Sequence, residues 1–194
     1  MDRKCRQMRG VPSRFDTREE NDALYIEGYF SVFNTNYDLW PGASESVAPG
    51  AFSQTLGGDI RALIDHETRL VLGRNKAGTL ELREDSHGLW GRVAINRNDQ
   101  DAMNLYERVK RGDVDQCSFG FEITKEDTDI REDGSVHWTI REVKLYEVSV
   151  VTFPAYEETS VSARKKEYAD IQKRKTEAWR ETMQKKIRSE SKWH

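Results

Sequence analysis

Between two polar ends, the chain alternates apolar and polar positions over several short stretches. In ALYIEGYFSVF, Leu24, Ile26, Phe30 and Val32 share one parity, the pattern of a strand with one buried face. Ile60, Ala62 and Ile64 do the same in DIRALIDHE, and His66 is expected to continue that face. Leu80 and Leu82, then Leu89, Val93 and Ile95, predict a hairpin turning at Asp85-Ser86-His87-Gly88. In QCSFGFEI, the residues Cys117, Phe119, Phe121 and Ile123 oppose Ser118 and Gly120. The stretch VKLYEVSVVTF is almost continuously apolar from Val148 to Val151 and reads as a strand buried on both faces. One segment changes period: Ala102, Leu105, Tyr106 and Val109 fall at helical spacing, with Asn98 or Asp99 to cap the start and Gly112 to end it. A second, shorter helix is expected after Pro49 in PGAFSQTLGG. Six or more strands without βαβ alternation predict an α+β fold, mainly antiparallel and barrel-like, with a few peripheral helices.

Charge changes the picture at the ends. The 194 residues carry a net charge of −3, but residues 164–194 hold 11 Lys/Arg against 5 Asp/Glu, leaving −9 on residues 1–163. The division expected is a flexible polar segment over 1–20, a compact acidic domain over 21–163, and a basic, helical tail over 164–194. The tail's apolar residues (Tyr168, Ile171, Trp179, Met183, Ile187) look too sparse to build a core. No stretch approaches the roughly 20 apolar residues that cross a bilayer, and MDRKCRQMRG lacks the apolar run of a secretory signal. Only Cys5 and Cys117 occur, which excludes a disulfide scaffold and a Cys-rich zinc site. An acidic core without an aromatic and basic stripe argues against specific nucleic-acid binding. A soluble, intracellular type of protein is expected.

Phosphate-binding glycine loops, HExxH and paired Cys-x-x-Cys are all missing, and Gln116 stands where a nucleophile elbow needs its first glycine. Ser162-Ala-Arg-Lys165 has SxxK spacing but opens the charged tail. Of four histidines, His194 is terminal, His87 lies in a turn and His137 in a charged hairpin. His66, on a core-facing parity between Asp65 and Glu67, is either a satisfied structural histidine or a general base. Ser118 is either a strand serine or a nucleophile; Gly120 beside it leaves room for another chain, and a nucleophilic serine needs a base. Glu147 shares parity with Val143 and Leu145 and needs a partner if buried, either a cation or an imidazole N–H. No spacing rule joins the three.

An ordered string of segments runs GYFSVFN at 28–34, PGAF at 49–52, ALIDHE at 62–67, LG at 72–73, GLW at 88–90, CSFGF at 117–121 and LYEVSVVTFPA at 145–155. They cover about residues 20–163, and their order is specific where each alone is not. In that order they resemble the prohead maturation proteases of tailed bacteriophages. The resemblance implies a herpesvirus assemblin-type fold and a serine endopeptidase with His66 as base and Ser118 as nucleophile. Assemblin-type enzymes use a second histidine as third member, and none here fits; chain order points to Glu147, with Asp65 and Glu67 as alternatives on the wrong parity. By analogy the oxyanion donors are the backbone N–H groups near Ala155 and Tyr156. No cofactor or metal is implied.

The resemblance also implies a setting: the immature capsid inside the host cell cytoplasm, or an intracellular one if a prophage encodes the chain. The partners implied are the major capsid protein, through its scaffolding segment, and the protease itself, by autocleavage; assemblin relatives act as homodimers, which leaves that state open here. The basic tail fits a segment that retains the enzyme in the shell. The competing reading is a catalytically silent capsid-assembly module of the same fold.

Overall fold

The computed structural model describes residues 7–12, 15–153 and 158–190; Cys5, Ala155, Tyr156 and His194 lie outside them, as does the side chain of Ser162. Its strands are β1 (Gln7–Pro12), β2 (Asp16–Glu20), β3 (Ala23–Val32), β4 (Tyr37–Trp40), β5 (Ala43–Val47), β6 (Arg61–Ile64), β7 (Glu67–Arg74), β8 (Leu80–Glu84), β9 (Gly88–Ile95), β10 (Gln116–Ile130) and β11 (Val136–Val151). The helices are α1 (Gln100–Arg111) and α2 (Glu158–Glu190).

Two sheets share one core. The first runs β1-β10-β11-β5-β4, with β6 also on β11 and β7 on β6; the second runs β2-β3-β9-β8. Most pairs are antiparallel, but β11 runs parallel to β5 at one end and to β6 at the other. Phe119, Phe121, Val148 and Val150 of the first sheet meet Ile26, Phe30, Leu89 and Val93 of the second. The α+β, antiparallel-rich expectation holds; of the barrel-like form expected with it, no closed barrel is seen, since among the described residues no pairing closes either sheet.

Local signals explain several elements. Helix α1 begins at Asp99, whose carboxylate accepts from Asp101 N and Ala102 N, and ends at Gly112 with φ of +84°. It buries Ala102, Leu105, Tyr106 and Val109, as their spacing predicted. Between β8 and β9, Asp85 Oδ1 accepts from His87 N and Gly88 N and tightens the expected hairpin.

The helix expected after Pro49 is instead a run of turns. Its bonds are of i→i+3 type, Ser53 N to Gly50 O and Thr55 N to Phe52 O among them. Ala51 O accepts from Val143 N of β11, and Glu84 accepts from Gly50 N and Phe52 N. Ala51 O is the acceptor that an α-helix would give to Thr55 N, so β11 takes a group the helix would pair internally. Residues 7–12 and 16–20, expected to be loose, are strands because the edges of β10 and β3 offer them partners.

The charged C-terminal helix also finds a seat. Tyr168 and Ile171 join Trp40, Ala43, Val136 and Trp138 in a second apolar cluster, whereas Trp179, Met183 and Ile187 are exposed. Arg164, 4% exposed, donates to Glu126 at 2.7 Å and to Glu45 at 3.4 Å, and its guanidinium lies 4.7 Å from the Trp138 ring. Arg9 of β1 donates to the same Glu45. Burial raises the Glu45 carboxyl's pKa, but Arg9 and Arg164 outweigh it and hold the group below the ordinary glutamate value. Among the described residues no helix is long and apolar enough to cross a membrane.

Candidate active site

The first sheet has one face on the core and one on the site. Cross-strand partners point the same way, so the register Ser118↔Ser149↔Leu63 and Gly120↔Glu147↔Arg61 defines a single surface opposite Phe119 and Val148. Ser118 and Ser149 are fully buried, and Glu147 is 2% exposed.

Glu147 reaches this surface through a break in register. Gly120 pairs with Glu147, but Phe121 pairs with Leu145, which leaves Tyr146 as an extra residue. Val143 and Leu145 enter the core before the break, and Val148 and Val150 enter it after. The parity that sequence assigned to Glu147 is therefore wrong. The bulge turns the carboxylate from the core to the site face.

His66 is displaced from its expected face as well. Strand β6 stops at Ile64, and Asp65 and His66 both take positive φ, +47° and +62°. Asp65 holds this turn: its N–H donates to Val150 O at 3.0 Å, and its Oδ1 accepts from Thr152 N at 2.7 Å. The turn lifts the imidazole away from the face of Ile60, Ala62 and Ile64 and over β11. There His66 Nδ1 lies 2.8 Å from Glu147 Oε1, with the imidazole side chain 11% exposed.

The chemistry of this contact is directional. A carboxylate only accepts, so Nδ1 carries a proton, and in the neutral imidazole the lone pair falls on Nε2. Among the described residues Nε2 has no hydrogen-bond partner, and neither has the Ser118 Oγ, one strand beyond Ser149. The register puts the Ser118 hydroxyl on the face that carries Glu147, and an imidazole held by a carboxylate can take a serine hydroxyl's proton once the two meet. The structure thus brings His66, Ser118 and Glu147 to one face. Ala155 and Tyr156 fall outside the described residues.

The alternatives separate cleanly. Asp65 is committed to Thr152, and Glu67 is exposed. His137 is fixed in β11 by Ser44 Oγ and Ser46 Oγ, each at 2.8 Å, and burial lowers its pKa. Among the described residues no cluster of three or more His, Cys, Asp or Glu can hold a metal ion. A groove of about 310 Å³ opens beside Glu147, lined by Asp59, Arg61, Leu63, Thr68 and Tyr146.

A family profile described as Caudovirus prohead serine protease matches residues 13–174. The chain belongs to this family. Over 145 residues it is 33% identical to the prohead protease of Enterobacteria phage HK97, an alignment covering 72% of this chain. The chain spans about 60% of the length of that HK97 relative. A solved structure of the bacteriophage T4 capsid assembly protease matches 75% of this chain and 98% of its own, at 9% identity and a TM-score of 0.43.

Within this member of the prohead protease family, sequence reading missed two contributors. Asp65 was considered only as a rival for Glu147, yet it builds the turn that aims His66. Ser149 was read as part of an apolar strand; its Oγ donates to Glu147 Oε2 at 2.6 Å. A usable signal existed for Ser149, since two residues apart on a strand means the same face.

Proposed function

We propose that this chain is a prohead maturation protease, a serine endopeptidase acting through an acyl-enzyme. What supports the reading is the 2.8 Å contact of His66 Nδ1 with Glu147, on the sheet face that also carries the Ser118 hydroxyl, unpartnered among the described residues. His66 Nε2 takes the proton of Ser118 as Oγ attacks a peptide carbonyl. The tetrahedral oxyanion draws on backbone N–H groups, for which Ala155 and Tyr156 are the proposed donors. Collapse breaks the C–N bond while the imidazolium returns its proton to the leaving amine. Water, deprotonated by His66, then hydrolyses the ester and restores Ser118. Glu147 keeps the imidazole in the productive tautomer and stabilises its protonated form.

Family membership motivates the setting. The proposed substrates are the scaffolding segment of the major capsid protein and the protease itself, cleaved inside the immature capsid in the host cytoplasm. We assign the protease unit to residues 21–163 together with β1 and β2, with 164–194 as the basic segment that retains it in the shell. An assemblin-type relationship and a homodimer belong to the same proposal.

The test is co-expression with the cognate capsid protein, comparing wild type with Ser118→Ala by intact mass. Shortening by wild type alone supports the reading. Assembled particles with an uncut capsid protein in both cases would favour a silent assembly module.

A further inference from the structure

Two serines face each other across neighbouring strands at this site, and their surroundings differ. Ser118 of β10 registers with Ser149 of β11, and both are fully buried. Among the described residues the Ser118 hydroxyl has no hydrogen-bond partner. The Ser149 hydroxyl donates to Glu147 Oε2 at 2.6 Å, within the short range of hydroxyl–carboxylate bonds. The other carboxylate oxygen, Oε1, accepts from His66 Nδ1.

We infer that Ser149 is a positioning residue for this site, holding the Glu147 carboxylate in the plane that keeps the His66 proton on Nδ1. The inference rests on the proposed protease reading and extends it by one residue. Glu147 is anchored to the backbone through a side chain with three rotatable bonds, so position alone does not fix its carboxylate. Donation to Oε2 sets the rotation of the group, and with it the direction in which Oε1 meets the imidazole. The bond also sorts the two serines. A hydroxyl has one proton, and that of Ser149 is committed to Glu147, so it neither donates to Ser118 nor passes to His66. Ser118 keeps its proton available to the base. The 147-x-149 spacing places donor and acceptor on one strand face, after the bulge at Tyr146 has turned both toward the site.

The experiment uses the full chain and a fluorophosphonate probe, which reacts with an activated serine without requiring a known substrate. In wild type the adduct maps to Ser118. Ser149→Ala is expected to slow labelling of Ser118 by about 10- to 100-fold, the span for losing a hydrogen bond to a charged group. Ser149→Thr, which retains the hydroxyl, recovers most of the rate. The downfield proton resonance of His66 Nδ1–H, identified by its loss in His66→Gln, broadens in Ser149→Ala and sharpens again in Ser149→Thr. A purely structural role would leave that resonance sharp in the folded fraction.

Where Ser149→Ala fails to fold, Ser149→Cys takes its place, because a thiol keeps the volume and donates weakly. A labelling rate within about twofold of wild type, with an unchanged Nδ1–H resonance, in either folded variant overturns the inference. An adduct on Ser149 also overturns it. Absence of any adduct on Ser118 in wild type removes the protease reading itself, and the role of Ser149 falls with it. A Ser118 adduct with an indifferent Ser149 sinks the inference alone.

Discussion

Replacing Glu147 with glutamine keeps the shape of the side chain and changes what its two terminal atoms can do. Two described neighbours donate to the carboxylate: His66 Nδ1 to Oε1 at 2.8 Å and Ser149 Oγ to Oε2 at 2.6 Å. A glutamine offers one acceptor and one donor, so one neighbour must reverse its role. If the imidazole reverses, its proton moves to Nε2, and the nitrogen that must take the Ser118 proton can no longer accept. A wrong tautomer in a Ser-His-acid triad costs ~10⁴ in rate, about 5 kcal/mol of transition-state stabilisation. If Ser149 turns instead, the tautomer survives and only the negative charge is lost. The expected loss is therefore ~10³–10⁴ in the rate of Ser118 acylation. Ser149→Ala in the same protein should not add to it, since a hydroxyl that orients a carboxylate has nothing left to orient. The assay is fluorophosphonate labelling at Ser118, with thermal unfolding beside it. Thermal midpoints should stay within about 4 °C, equivalent to ~1 kcal/mol in a chain of this size. Labelling by Glu147→Gln within about tenfold of wild type would refute the argument.

Other perturbations test the framework that carries the site. Asp65→Ala removes the acceptor for Thr152 N and puts a less tolerant residue at φ of +47°; a loss of ~1–3 kcal/mol in urea unfolding is expected. Gly88→Ala should destabilise by ~3 kcal/mol or more, since its Cβ would lie 2.0 Å from Ser31 O, whereas Gly57→Ala, with nothing within 4 Å, should change little. Thermal melts of the two variants would contradict this if they shifted equally. Arg164→Leu leaves Glu45 and Glu126 without that buried cation and should cost ~3–5 kcal/mol at neutral pH, read by urea titration. Glu45 binds protons less readily folded than unfolded, so its contribution is full above the ordinary glutamate value of 4.5 and fades as pH falls through the lower folded value. Urea midpoints that rise on acidification through this window would contradict that sign.

Much of this protein was written in short-range pattern. Period-two apolar spacing gave β3, β9 and β10, the helical spacing of Ala102, Leu105, Tyr106 and Val109 gave α1, and Asp99 and Gly112 marked its ends. Such signals need only neighbours in sequence, because propensity and capping act over a few residues. His66, Ser118 and Glu147 could likewise be named as residue types out of place in apolar strands. Their faces could not. Parity counted along the chain put His66 and Glu147 with the core, because parity assumes an unbroken pleat. At the site the pleat breaks beside both residues: at Tyr146, where β10 and β11 slip by one residue, and at Asp65–His66, where the backbone turns left-handed against Val150 and Thr152. Both breaks are held by partners about 80 residues distant in sequence or on another strand. The same reason explains the run of turns after Pro49, β1 on β10, and the seat of Tyr168 and Ile171. Sequence determined which residues could do chemistry and which segments would extend or coil. Only the tertiary structure decided which way the side chains point, since backbone pairing between distant strands sets the register.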